Sequence, residues 1–124
     1  MAAPNVVNVS TITGITTFLS LTSTNATLLL SNAASSGKIL KINSIIVANV
    51  DGTNSADITV RLHNAAAGAG TSFALASTIA VTADSSLVTL DKSSSIYLEE
   101  NRSITVTASA ANDLDVVCSY EEIS

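Results

Sequence analysis

Apolar and polar positions alternate with a period of two through the middle and end of the chain, the spacing of a strand with one buried face. In ADITVRLH, Ala56, Ile58, Val60 and Leu62 point one way, and Asp57, Thr59, Arg61 and His63 point the other. SITVTAS repeats the pattern with Ile104, Val106 and Ala108 on one side, and LDVVCSY repeats it with Leu114, Val116, Cys118 and Tyr120. In KILKINSIIVANV the alternation puts Leu40, Ile42, Ile46, Ala48 and Val50 on one face. Its other face carries Lys41, Asn43 and Asn49, but also Ile39, Ile45 and Val47, which is too apolar for open solvent. That mixed face therefore predicts a contact with a neighbouring chain or an arm.

Turn signals separate these runs. Asp51-Gly52 followed by Thr-Asn-Ser reads as a hairpin connection, because Gly and Asn tolerate positive φ. Ala65–Gly70 reads as a loop of small residues, with Ala83-Asp84-Ser85 and Ala111-Asn112-Asp113 as further turns. No segment carries a helical stripe; the Ala-rich AAAGAGTSFALA is broken by its glycines. Short strands between regular turns predict an all-β fold: a single antiparallel β-sandwich, jelly-roll-like, with an extended N-terminal arm. The predicted core is Leu40, Ile42, Ile46, Ile58, Val60, Leu62, Phe73, Leu75, Ile79, Val81, Val88, Leu90, Leu98, Ile104, Val106, Leu114, Val116 and Cys118.

The first 37 residues differ, being almost uncharged and dense in Thr, Ser and Asn. They hold short β-prone pieces near Val6–Ile12, Ile15–Leu21 and Ala26–Leu30. Val6, Val7, Val9, Ile12, Phe18, Leu19 and Leu21 are too apolar for a free tail, so the segment reads as an arm ordered against this domain or a partner. Pro4 stiffens its start and cannot donate a ladder hydrogen bond. The organisation expected is residues 1–21 as arm and first short strands, and 22–124 as the sandwich.

Composition narrows the function classes. Charged residues are 12% of the 124 positions, and ten acids against five bases give a net charge of −5. The five cations are scattered rather than gathered on one face, which argues against nucleic acid as a partner. Mean hydropathy is +0.47, which excludes a disordered solvating chain, yet no apolar run approaches the ~20 residues of a membrane-spanning helix. MAAPNVVNVS has neither the basic nor the apolar region of a signal peptide.

Catalytic chemistry is sparse. His63, the one histidine, sits on a polar strand face beside Arg61 with no oriented partner, so it reads as a surface or interface residue. Cys118 is the only cysteine and falls on an apolar face, as a small buried hydrophobe would. Asp51–Asp57 spaces oxygen ligands as a calcium loop does, but Ala56 and Leu62 stand where an EF-hand needs glycine and glutamate. Glu99-Glu100 and Glu121-Glu122 are adjacent on strands, so each pair splits between two faces. Aromatics are 3% of the chain, too few for a sugar-stacking platform. These residues predict no enzyme, no metal and no cofactor.

Three stretches carry a family resemblance: NVVNVSTITG at 5–14, SSGKILKINSIIVANVDGTNSADITVRL at 35–62, and SSLVTLDKSSSIYLEENRSITVTASAANDLDVVCSYEEI at 85–123. Together they resemble small virion structural proteins of tailed bacteriophages, especially cyanobacterial and marine phages. The chain departs from that pattern at Cys118, where an aliphatic residue is usual. The resemblance implies a β-sandwich without catalysis that acts as a head decoration, or cement, protein. It also implies the major capsid protein as partner, a homo-oligomer (a trimer), the virion head surface as location and assembly in the host cytoplasm, with no nucleic acid or membrane partner. The alternative is a tail, baseplate or short-fibre component. The candidate contact residues are Pro4, Val6, Val7, Val9, Ile12, Ile39, Ile45 and Val47.

Overall fold

The computed structural model describes residues 5–124. Among the described residues nine strands follow one another: β1 Ile12–Ser20, β2 Thr27–Asn32, β3 Ile39–Asn49, β4 Ala56–His63, β5 Ser72–Val81, β6 Ser86–Leu90, β7 Ile96–Leu98, β8 Arg102–Ala108 and β9 Leu114–Ile123. They form two sheets, one in the order β1-β9-β3-β6 with β7 also on β3, the other in the order β2-β8-β4-β5. Every pairing is antiparallel. Apart from the β4–β5 hairpin and the β6–β7 step, every connection crosses from one sheet to the other, which is the double Greek key of a jelly roll. Short β6 and β7 share the last position beside β3, separated by a 3-10 turn at Lys92–Ser94 that Asp91 caps.

The two inner faces form one core. Ile42, Ile45, Val47, Leu98, Leu114, Val116 and Cys118 from the five-stranded sheet meet Ile58, Val60, Ile104 and Val106 from the other, all fully buried. β8 and β9 alternate as their sequences predict. β3 does not, because Asn43 is an extra residue: Ile42 pairs with Tyr120 and Ser44 with the adjacent Ser119. One inserted residue exchanges the faces of everything after it. Ile45 and Val47 therefore join Leu40 and Ile42 inside, and Ile46 turns outward at 36% exposure.

The same device corrects other core assignments. In β6, Thr89 is skipped between the pairs Ile45–Leu90 and Ile46–Val88, so Leu90 points in and Val88 is 53% exposed. β5 shifts register twice against β4 and holds Thr78 at φ 46°, leaving Ile79 and Phe73 exposed. Leu21, Leu29 and Leu30, unassigned to the core from sequence, are buried in it. The segment assigned to an arm is ordered against its own domain: β1 is a full edge strand on β9, and the chain before it bonds from Ser10 and Thr11 to Ser124.

Candidate interaction surface

Sequence-predicted contact residues fall in three places. Pro4 lies outside the described residues. Val6 and Val7 are exposed, Val9 is half-buried, and Ile12 is exposed at the start of β1. Ile45 and Val47 are corrected: the facing sheet covers them completely, so they offer nothing to a second chain. Ile39 is also closed to solvent, at 8%, in a lateral row with Ile123 of β9 and Ile12 of β1.

An apolar surface absent from the sequence-based expectations lies on the larger sheet. Register places Phe18 of β1 beside Val117 of β9, Val117 beside Ile46 of β3, and Ile46 beside Val88 of β6. All four point away from the core and are exposed, Phe18 at 76%. They make one apolar row across four strands on the outer face of the larger sheet. The neighbouring row is Ser20, Asp115, Ala48 and Ser86, with Ser20 donating to the Asp115 carboxylate at 2.6 Å. Single exposed apolar residues are ordinary on proteins, but a contiguous row is the signature of a contact surface. Sequence could not show it, because its members come from four strands whose lateral register depends on the two bulges.

The polar groups mostly serve the fold. His63 is corrected from surface to buried: Nε2 shares a hydrogen bond with Thr105 Oγ1 at 2.8 Å, and the loop after β4 covers both. That loop is latched by Ser103, whose hydroxyl donates to Ala65 O at 2.7 Å and accepts from the Gly68 N–H at 2.8 Å. Gly70, at φ 74°, closes the loop where a Cβ would collide with Asn64 Oδ1. Ser103→Ala orphans a loop carbonyl and a loop N–H at once. It should cost about 1–3 kcal/mol and speed amide exchange at residues 65–70, read by hydrogen–deuterium exchange.

Asp51 is held by its own loop: the Thr53 N–H (2.8 Å), the Asn54 N–H (3.3 Å) and the Asn54 side-chain amide (3.2 Å) all donate to its carboxylate. These bonds, led by that from Thr53, lower its pKa below the usual carboxylate value. A carboxylate surrounded by N–H donors is a turn, with the wrong polarity for a cation cage. Among the described residues no group of three or more His, Cys, Asp or Glu side chains is placed to hold a metal. A cleft of about 330 Å3 at one end of the sandwich, lined by Asn32, Lys38, Tyr120 and Glu122 among others, has its charges paired through a Lys38–Glu122 bridge of 2.9 Å.

Cys118 is fully buried, and desolvation pushes its thiol pKa up to about 12 from 9.0. The native thiol should therefore resist a disulfide-exchange reagent at neutral pH and react fully only after denaturation. Stability linked to this group is complete below about pH 9 and is lost as pH rises toward 12, because the unfolded thiol ionises first. A melting series above pH 9 should fall less steeply for Cys118→Ala than for the native chain, measured from each protein's own neutral value.

No protein-family model matches the chain, and no curated protein matches it. Among solved structures, it is similar to a chain from Bacillus endospore appendages, described as a novel family of disulfide-linked pili. The TM-score is 0.53 at 16% identity, over 92% of this chain and 88% of that one. At that identity the likeness is one of fold.

Proposed function

We propose that this protein is a phage virion structural protein, a decoration or cement subunit on the outer surface of the head, with the major capsid protein as its partner. The observation that carries the reading is the apolar row Phe18–Val117–Ile46–Val88, an exposed contact surface on a sandwich whose polar groups are spent on its own turns. The three resembling stretches supply the virion context. In this reading the larger sheet lies face-down across capsid subunits, and exposed Val6 and Val7 extend the contact beyond β1. A shell repeats each contact many times, so modest affinity per copy gives firm attachment. The reading assigns no catalysis, and places assembly in the host cytoplasm. Attachment uses no disulfide, because the sole cysteine is buried.

One observation favours the alternative of a tail, baseplate or short-fibre component: the similar fold noted above builds pili, which are elongated appendages. Co-sedimentation separates the two readings. Purified protein mixed with heads that lack it should bind saturably; capture by isolated tails and not by heads would replace the decoration role with the tail role.

A further inference from the structure

Among the described residues the sheets have four free edges, and three are guarded. β2 is short and carries a register shift, β5 carries two shifts and a residue at positive φ, and β6 and β7 are five and three residues long. Shifts and short lengths are how proteins keep edges from pairing. β1 has none of these protections. It is nine residues long, ITGITTFLS, with no charge, no proline and unbroken register on β9.

The direction of its free groups is fixed. Thr11 and Ser124 exchange both backbone hydrogen bonds, and ten residues later the Leu21 N–H bonds to Leu114 O. With no register shift between them, the odd residues of β1 face β9. The N–H and C=O groups of Ile12, Gly14, Thr16, Phe18 and Ser20 therefore point to the open edge.

We propose that β1 pairs with β1 of a second copy, antiparallel about a two-fold axis at Thr16. This register alone pairs the whole strand, since Ile12 meets Ser20, Gly14 meets Phe18 and Thr16 meets Thr16, so every outward group gains a partner. Gly14 is the second observation. Its φ is not in the left-handed region and a Cβ there would meet nothing within 4 Å, so the protomer gives no reason for glycine inside a strand. Across the two-fold, Phe18, with nothing over it in one protomer, lies on the bare backbone of the partner's Gly14, the cross-strand pairing in which a ring covers a glycine. On the inner side Ile15 meets Thr17 and Leu19 meets the exposed Thr13, so that Ile15, Thr17 and Leu19, half-buried in one copy, gain cover. The uncharged edge lets two chains of net charge −5 approach without facing acids on the paired strands.

The two-fold is perpendicular to the sheet, so the pair is one continuous sheet with both apolar rows on the same side. This does not rest on the capsid reading, and it differs from the trimer that the family resemblance implies. The test uses purified protein alone. Under mild oxidation Thr16→Cys should give a disulfide-linked dimer, because the two Cα atoms lie about 5.5 Å apart in such a pair. Thr13→Cys, equally exposed but facing Leu19 of the other copy, should not. By light scattering across a dilution series the native chain should be a dimer, and Thr16→Lys should weaken it about tenfold or more with an unchanged circular dichroism spectrum. A native monomer or trimer, or equal cross-linking of Thr13→Cys and Thr16→Cys, overturns the proposal.

Discussion

Val47→Asp should yield no folded protein, while Val88→Asp should melt within a few degrees of the native chain. Val47 is fully buried between Val116 and Leu87, its register partners on β9 and β6. A carboxylate there has no partner, and the several kcal/mol needed to bury or neutralise it is comparable to a typical whole-domain stability of about 5–15 kcal/mol. Val88 is 53% exposed, so the same substitution leaves its charge in water. The pair is diagnostic because simple alternation through β3 and β6 predicts the reverse, with Val88 inside and Val47 at a protomer contact. Expression in parallel, followed by circular dichroism melts of whatever is recovered, reads the result. A cooperatively folded Val47→Asp would mean that the Asn43 bulge is misplaced and the faces of β3 are exchanged.

The second large effect concerns binding. Phe18→Asp combined with Val88→Asp places a carboxylate at each end of the apolar row, at two of its most exposed members. The fold should survive, because neither side chain is part of the core. Association with heads should fall about thirtyfold or more, the effect of losing a buried aromatic contact worth about 2 kcal/mol before the charge is considered. Thr107→Asp, a half-buried position on the outer face of the smaller sheet, should bind as the native chain does. Co-sedimentation over a concentration series gives both values. Undiminished binding of the double variant would remove the outer face of the larger sheet from the contact.

Most of the architecture could be read from the chain because most strands keep strict alternation. β8 and β9 have their faces where the pattern puts them, and the turns at Asp51, Ala65, Asp84 and Asn112 separate successive strands. The failures share a cause. Asn43 in β3, Thr89 in β6 and the two shifts in β5 each insert a residue, and an insertion is silent in the sequence yet reverses the parity that follows. His63 was misplaced for a different reason: a loop folds back over the outer face of the smaller sheet, and burial by a loop leaves no periodic trace. The apolar row needs the lateral register of four strands, so its members look like scattered core candidates along the chain. β1 was visible as a β-prone, uncharged segment, but its role as an unguarded edge emerges only by comparison with the other edges.

Gold-labelled antibody against this protein, viewed on intact virions by electron microscopy, tests the decoration reading most directly. Label should be distributed over the heads. Label confined to the tail or its tip, or absent from intact particles, would contradict it.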